Sequence, residues 1–430
     1  MEIKREKYLQ DLVNRMNNGL IKVVTGIRRC GKSYLLFNMF YKYLKELGIE
    51  DDCILRIALD DDLNEEYRDA SLLSSYVRSF IKDDGKTYYL LFDEIQLAIS
   101  DEELRNPEKP MKVFSVLNGL LRIPNVDIYV TGSNSRFLSN DVLTEFRGRG
   151  DEIHVLPFVF SEFMRGYEGD VYHGWADYTI YGGMPLILSM KTDEQKSAYL
   201  TNLFRETHLK DVITRNKIDK SQELEDLIDI LASSIGSLTN PTKIAHTFRS
   251  VLNSVLSVNT IIKYLDAIKD SFIVSEVSRF DVKGRRYIGS PHKYYFEDIG
   301  LRNARLNFRQ IEENHIMENI LYNELRFRGY NVDVGIVEQR TQEKDGKLGR
   351  KYHEIDFIAT QGGKKYYIQS AFAMSSSQKE EQEKRSLRSV DDSFKKIIVV
   401  KDVIKVRRDE SGITTIGLFE FLQNMNSLEL

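Results

Sequence analysis

The feature that most constrains the fold of this chain is an eight-residue segment near its N-terminus, Gly26–Ser33, with the sequence GIRRCGKS. It has the form G-x-x-x-x-G-K-S, in which the glycines let the backbone wrap around phosphate groups and point its N–H groups inward. A β-prone run at Ile21–Val24 precedes the segment, and apolar residues at helical spacing follow it from Leu35 to Tyr43. A strand, this loop and a helix in that order predict an α/β P-loop fold that binds a nucleoside triphosphate such as ATP.

The individual positions of the loop have distinct predicted roles. Lys32 is expected to reach the β- and γ-phosphates of ATP, and the hydroxyl of Ser33 to ligate Mg²⁺. The first turn of the following helix adds its positive dipole end. Cys30 is either a small residue that fits the loop or an oxidation-sensitive thiol. The predicted nucleotide contacts are Gly26, Ile27, Arg28, Arg29, Cys30, Gly31, Lys32, Ser33 and Tyr34.

An acidic pair follows a second apolar run. The run Tyr88–Phe92 is apolar throughout, as expected for a parallel strand buried on both faces, and Asp93 and Glu94 come directly after it. Beside a phosphate loop, Asp93 is predicted to hold Mg²⁺ through water and Glu94 to orient the water that attacks the γ-phosphate. The alternative is an acidic pair that only ends a strand.

Two further segments supply polar groups. VTGSNS, at Val130–Ser135, ends an apolar strand at the same edge of the sheet. Asn134 is predicted to hydrogen-bond the γ-phosphate or its attacking water; the alternative is a turn residue. FRGRG, at Phe146–Gly150, presents Arg147 and Arg149 between glycines. A guanidinium on such a loop suits stabilisation of a transferring phosphoryl group, in the same subunit or a neighbouring one; the alternative is a solvated loop or an internal ion pair.

Composition limits the remaining possibilities. The chain has 430 residues, a formal net charge of −4, 42% hydrophobic and 29% charged residues, as in ordinary folded domains. An acidic chain contacts nucleic acid only through local basic patches. No apolar run approaches the roughly 18 residues of a membrane span. Two cysteines exclude a disulfide framework. We therefore expect a cytoplasmic protein without a membrane partner.

The pattern of apolar residues changes along the chain. Strands alternate with helices to about residue 160, which predicts a parallel sheet with crossover connections. Helical patterns dominate in the next region, and the third combines short helices with a hairpin around the turn Lys283–Arg286. The last region opens with a helix, continues with strands and has an exposed loop at Gln342–Lys351. The predicted domains are 1–160, 161–235, 236–310 and 311–430.

Taken in order, several strings resemble those of the AAA+-superfamily ATPases of bacteria and archaea that carry an uncharacterised C-terminal domain. The strings are GIRRCGKS, LLFDEIQ, VTGSNSRFLS, FRGRG, PFVFSEF and YGGMP. The resemblance covers nearly the whole chain and makes Lys32, Ser33, Asp93 and Glu94 the Walker residues. It also implies that Asn134 is sensor 1, that Arg147 and Arg149 are candidate arginine fingers, and that Arg5 lies near the nucleotide.

The resemblance further implies a winged helix at Asn240–Phe296, with Val258–Lys269 as its recognition helix and the turn Lys283–Arg286 as its wing. In this helix the apolar residues Ile261, Ile262, Leu265 and Ile268 are expected to face the core. The predicted DNA contacts are Asn259, Lys263, Arg285 and Arg286, through a groove and phosphates. A winged helix that binds protein is the alternative.

The last region resembles the PD-(D/E)xK nuclease fold. Glu318, Asp356, Gln369 and Ala371 occupy its motif positions. An active site of this type needs a second carboxylate where Gln369 stands and a lysine where Ala371 stands. We therefore expect a catalytically inactive fold retained for binding.

These inferences predict an oligomeric ATPase that hydrolyses ATP to ADP and phosphate with Mg²⁺ as its cofactor and works on duplex or branched DNA. One alternative is a nucleotide-controlled switch or scaffold that binds protein in defence or signalling. Another is an ATP-gated nuclease.

Overall fold

The computed structural model describes residues 3–100, 102–103, 111–133, 148–342, 348–374 and 377–430. These residues form two compact units. The first comprises Met1–Pro157 with Asp270–Phe272, and the second comprises Phe158–Lys269 with Ile273–Leu430. The second unit therefore contains almost all of the three predicted domains 161–235, 236–310 and 311–430. The boundaries between these domains stay predictions. No helix in the described ranges is long and apolar enough to cross a membrane.

A parallel sheet of five strands forms the centre of the first unit. Its strands are β1 (Ile21–Thr25), β2 (Ile54–Ala58), β3 (Tyr88–Asp93), β4 (Val126–Thr131) and β5 (Gly150–His154). They lie in the order β2-β3-β4-β1-β5, and each neighbouring pair is parallel. β1 and β3 are buried along their whole length, as parallel strands covered on both faces must be. This sheet confirms the predicted α/β P-loop fold class.

Helices connect these strands and cover the sheet. They are α1 (Glu6–Val13), α2 (Lys32–Tyr34), α3 (Tyr41–Glu46), α4 (Ala70–Phe80) and α5 (Lys112–Leu120), with a π-helical turn at Leu35–Phe40 between α2 and α3. Asp69 begins α4 by accepting hydrogen bonds from the backbone N–H groups of Ser71 and Leu72. Apolar side chains of α4 and α5, including Leu73 and Phe114, pack with those of the sheet in one core.

The second unit begins with helices and ends with a mixed sheet. The described helices are α6 (Phe160–Gly166), α7 (Val171–Tyr181), α8 (Asp193–Leu203), α9 (Lys210–Asn216), α10 (Ser221–Ser233), α11 (Pro241–Val251), α12 (Val258–Asp270), α13 (Ile299–Arg305), α14 (Glu313–Phe327), α15 (Ser377–Arg388) and α16 (Leu418–Gln423). The strands are β6 (Val274–Asp281), β7 (Arg286–Phe296), β8 (Asn331–Gln342), β9 (Leu348–Gln361), β10 (Lys364–Ala371), β11 (Lys395–Val400), β12 (Arg407–Arg408) and β13 (Ile413–Gly417).

These eight strands form a single sheet in the order β12-β13-β11-β10-β9-β8-β6-β7. The hairpin β6–β7, predicted as a wing, joins the C-terminal strands because Arg279–Asp281 pairs in parallel with Val334–Ile336 of β8. The loop predicted at Gln342–Lys351 was too long, since β9 starts at Leu348. Backbone pairing with β8 outweighs the polar composition that suggested a loop.

The face of α12 differs from the prediction in one residue. Ile261, Leu265 and Ile268 are buried, but Ile262 is 42% exposed. Positions 261, 265 and 268 share one side of a helix of 3.6 residues per turn, whereas 262 lies about 100° away. Ile262 therefore adds to the exposed aliphatic side chains that precede it in this region, Val251, Val255 and Val258.

Candidate functional site

The phosphate loop follows β1 at the carboxyl edge of the five-stranded sheet, and its glycines are required by geometry. Gly26 has a φ of 138°, and a Cβ there would lie 2.1 Å from the carbonyl oxygen of Val155. Gly31 has a φ of 102° and directly precedes α2. At Gly26 a side chain would collide with a backbone atom, and at Gly31 the left-handed backbone conformation disfavours any residue with a side chain.

Lys32 lies folded over this loop. Its ammonium donates hydrogen bonds to the carbonyl oxygens of Gly26 (2.9 Å) and Ile27 (3.1 Å). The side chain is buried, whereas Arg29, Ser33 and Tyr34 on either side of it are exposed. Binding a phosphate group would exchange the two carbonyl acceptors for phosphate oxygens, which suits the role predicted for Lys32.

Arg5 is buried behind the loop. Its guanidinium donates to the carbonyl oxygens of Cys30 (2.9 Å) and Leu156 (2.7 Å) and lies 4.6 Å from the centre of the Tyr8 ring. Only 2% of the residue is exposed. The resemblance placed Arg5 near the nucleotide, and these contacts join it to the loop that the nucleotide would occupy.

The acidic pair and the end of β4 lie at the same edge. The hydroxyl of Thr131, the last residue of β4, donates to the Asp93 carboxylate and accepts a hydrogen bond from the backbone N–H of Glu94 at 3.0 Å. Glu94 has a φ of 51°, so the chain turns sharply after β3 and presents its side chain beside the strand end. Thr131 thus fixes both acidic residues, although the sequence did not single it out.

Asp93 also receives a hydrogen bond from Ser33. Burial raises the pKa of Asp93, and the hydrogen bonds from Thr131 and Ser33 counteract that rise. A hydroxyl of the phosphate loop therefore lies near a strand-end carboxylate. Oxygen atoms of these two kinds are what Mg²⁺ prefers, so Ser33 and Asp93 fit the metal role predicted for them.

Glu94 has two further partners. Its carboxylate accepts hydrogen bonds from the hydroxyl of Ser133 (3.3 Å) and from the side-chain amide of Gln96. Ser133 is the residue before Asn134, which lies outside the described residues, as does Arg147. The run VTGSNS identified the right strand end, and the hydroxyls of Thr131 and Ser133 are the groups within it that contact the acidic pair.

Arg149 lies at the opposite edge of the sheet. Its carbonyl oxygen accepts a hydrogen bond from the N–H of Ile21, the first residue of β1, at 2.8 Å. The phosphate loop begins after Thr25, and the five residues of β1 span about 16 Å. Arg149 therefore does not lie beside the phosphate loop of its own chain, so a role in another subunit, a solvated position or an internal ion pair stay the predictions for it.

The predicted DNA contacts fall into two groups. Asn259 and Lys263 are exposed on α12, and Arg285 and Arg286 are exposed at the turn between β6 and β7. This turn lies beside α15, because Lys283 and residues of α15 line one cavity of 410 Å³. The cavity is lined by Lys283, Glu381, Arg385, Arg388, Ser389 and Asp391.

Two family models and two relatives match this chain. Residues 18–164 match the family described as an AAA domain, and residues 172–312 match a domain family of unknown function. An uncharacterized protein of Haemophilus influenzae is 31% identical over 98% of both chains. An uncharacterized protein of Methanocaldococcus jannaschii is 26% identical over 89% of this chain and 81% of its own.

Two solved structures show only distant likeness. The ORC1 protein of Aeropyrum pernix in complex with DNA has 12% identity and a TM-score of 0.33, covering 71% of this chain and 93% of that one. Cdc6p of Pyrobaculum aerophilum has 13% identity and a TM-score of 0.28, covering 74% and 94%. The full-length match shows that the chain belongs to the family of the Haemophilus influenzae protein, and its residues 18–164 match an AAA domain.

Proposed function

We propose that this protein binds ATP at Gly26–Ser33 and hydrolyses it to ADP and phosphate. One observation supports this above all: the ends of three neighbouring parallel strands bring Lys32, Asp93 and Glu94 to the same edge of the sheet, and Thr131 bonds both acidic residues. Ligands of open α/β sheets bind outside the carboxyl ends of the strands.

Each residue has a part in the proposed reaction. Lys32 leaves its two carbonyl acceptors and binds phosphate oxygens, while the loop N–H groups surround the phosphates. Ser33 and Asp93 would hold Mg²⁺, which when bound with ATP neutralises charge on the β- and γ-phosphates. Glu94, held by Ser133 and Gln96, orients the attacking water and accepts its proton.

The test compares two variants with wild type. We expect Lys32→Ala to abolish detectable ATP binding in calorimetry. Glu94→Gln should bind ATP like wild type but turn it over about 10²–10⁴ times more slowly, as expected when a general base is lost. Arg15→Ala is the control, since Arg15 pairs with Asp151 at the start of β5, away from the loop. Equal ATP affinity in wild type and Lys32→Ala would refute the site.

We further propose that ATP turnover is coupled to binding of duplex or branched DNA. The support is the exposed basic turn: Arg285 and Arg286 project from it, and Arg385 and Arg388 line the neighbouring cavity. Such groups neutralise phosphates regardless of base sequence. As Arg149 would act as a finger only between subunits, the proposal includes a homo-oligomer, which sedimentation with and without ATP would reveal.

The DNA assay separates the two basic groups. Fluorescence anisotropy of labelled duplex and four-way DNA at several salt concentrations would compare Arg285→Ala/Arg286→Ala with Lys263→Ala. If the turn binds phosphates, the double variant lowers the salt slope by about two units and weakens all sequences alike, because each lost contact removes about one unit. If only Lys263→Ala weakens binding, with a loss of about one unit of salt slope, α12 is the DNA surface.

A second candidate function is a nucleotide-controlled switch that binds protein. The observation that favours it is the exposed aliphatic set Val251, Val255, Val258 and Ile262, since apolar surface of this kind suits a protein partner better than a phosphate backbone. Under this alternative, DNA leaves the ATPase rate unchanged and both basic variants behave as wild type. A DNA-stimulated rate that is lost in Arg285→Ala/Arg286→Ala would refute it.

A further inference from the structure

The carboxylates at the nuclease-like motif positions meet in the second unit. Glu318 on α14 and Asp356 on β9 each lie within 4 Å of the same ammonium group, and both residues are buried. Gln369 takes no part in this cluster, because its side-chain oxygen accepts a hydrogen bond from Ser386 of α15 at 3.4 Å. Ala371 is buried and carries no charge.

The ammonium group belongs to Lys293, on β7. Its Nζ lies 2.8 Å from a carboxylate oxygen of Glu318, 2.8 Å from one of Glu354 and 3.9 Å from one of Asp356. The lysine side chain is only 3% exposed. A buried charge of this kind is stable only when it is paired, and here three carboxylates surround it.

Hydrogen bonds hold the carboxylates in place around the lysine. The hydroxyl of Tyr295 donates to the Glu318 oxygen that contacts Lys293, at 2.6 Å. The backbone N–H of Ser370 donates to the second oxygen of Asp356 at 2.8 Å. Lys293 and Tyr295 both come from β7, so the hairpin supplies the cation and one of the bonds that fix its partners.

This arrangement does not fit a divalent metal. In the described ranges, the group of three metal-ligating side chains whose ligand atoms approach within 4.8 Å of one another is Glu50, Asp52 and Cys53; Glu318, Glu354 and Asp356 do not form such a group. Mg²⁺ holds its oxygens at about 2.1 Å, so ligands of one ion lie within roughly 4.2 Å of each other. The ammonium stands where these carboxylates converge.

We propose that Lys293 is an internal cation that takes the place of a divalent metal among Glu318, Glu354 and Asp356, so that this cluster holds no Mg²⁺ and supports no metal-dependent cleavage. The lysine of the nuclease motif, absent at Ala371, is thus not simply lost: another lysine, from a different strand, supplies a positive charge among the carboxylates instead.

The experiment measures binding of Mn²⁺ to the full chain without nucleotide, by titration calorimetry. The variants are wild type, Asp356→Asn, Lys293→Ala and Lys293→Ala/Asp356→Asn. We expect wild type and Asp356→Asn to bind Mn²⁺ identically. Lys293→Ala should gain one Mn²⁺ with affinity about tenfold or more above wild type, because three carboxylates lose their counter-charge. The double variant should lose that ion.

Several outcomes would overturn the proposal. Mn²⁺ that binds wild type but not Asp356→Asn would show that the cluster already holds a metal. Plasmid cleavage by wild type with Mn²⁺ that stops in Asp356→Asn would do the same. A folded Lys293→Ala that gains no Mn²⁺ would show that the ammonium does not occupy a metal position. If Lys293→Ala fails to fold, the comparison of wild type with Asp356→Asn still decides whether the site is closed.

Discussion

Arg5 offers the sharpest test of how the phosphate loop is held. Its two hydrogen bonds join the loop, through Cys30, to Leu156, which follows β5. The variant Arg5→Ala leaves two buried carbonyl oxygens without these donors. Arg5→Lys keeps the charge but has no planar fork with which to reach both oxygens.

The size of the effect follows from the bonds. A hydrogen bond from a charged donor contributes about 1.5–3 kcal/mol, so losing both costs roughly 3–6 kcal/mol of unfolding free energy. Only the hydrogen bond to Cys30 holds the phosphate loop itself. If the free energy of that bond, about 1.5–3 kcal/mol, is lost from ATP binding, the affinity for ATP falls roughly 10- to 150-fold, since each 1.4 kcal/mol is tenfold.

The assay has two parts: ATP affinity by calorimetry, and urea unfolding without nucleotide. We expect Arg5→Ala to lower both, Arg5→Lys to lower both by less, and Arg15→Ala to change affinity little. If Arg5 instead contacts bound ATP directly, Arg5→Ala weakens ATP binding while unfolding without nucleotide stays as in wild type. That result would refute the role derived from the buried bonds.

Three further predictions concern single residues. Ser133→Ala should lower kcat about fivefold with KM unchanged, since about 1 kcal/mol of orientation of Glu94 is lost. Gly26→Ala should abolish ATP binding, measured by calorimetry, while circular dichroism shows a folded chain, because its Cβ would meet the Val155 oxygen. Burial raises the pKa of Asp298 from 3.8 to about 6, so the folded state binds the proton more tightly. This tighter proton binding adds up to about 3 kcal/mol to the free energy of unfolding. The contribution is fully present below pH 4 and is lost as the pH rises through 6. Urea unfolding at pH 4.5 and 7 should show this loss in wild type and not in Asp298→Asn.

The parts of the fold that the sequence predicted are those with strong local patterns. β1 and β3 are apolar throughout, and the loop after β1 has a fixed spacing of glycines. β5 was missed because three of the five residues in its sequence, GDEIH, are polar. Its side chains Glu152 and His154 bond to Thr25 of β1, and such cross-strand pairing leaves no periodic pattern in either strand.

The sequence predicted the site only where the functional residues are neighbours along the chain. Thr131 lies 38 residues after Asp93, and only the neighbouring positions of β3 and β4 bring them together. Lys293 is 25 residues from Glu318 and lies in the region assigned to a winged helix, so nothing in the motif pointed to it. Contacts of this kind follow from sheet order, which local patterns do not determine.

The parallel pairing of β6 with β8 has a practical consequence for dividing the chain. A fragment that starts at residue 311 would lose the β6–β7 hairpin, and β8 would become an exposed edge strand with unpaired N–H and C=O groups. The same cut removes Lys293 and leaves Glu318 and Asp356 buried without their counter-charge. Such a fragment should aggregate, whereas one that begins before Asn240 keeps the edge covered and keeps Lys293 beside its carboxylate partners.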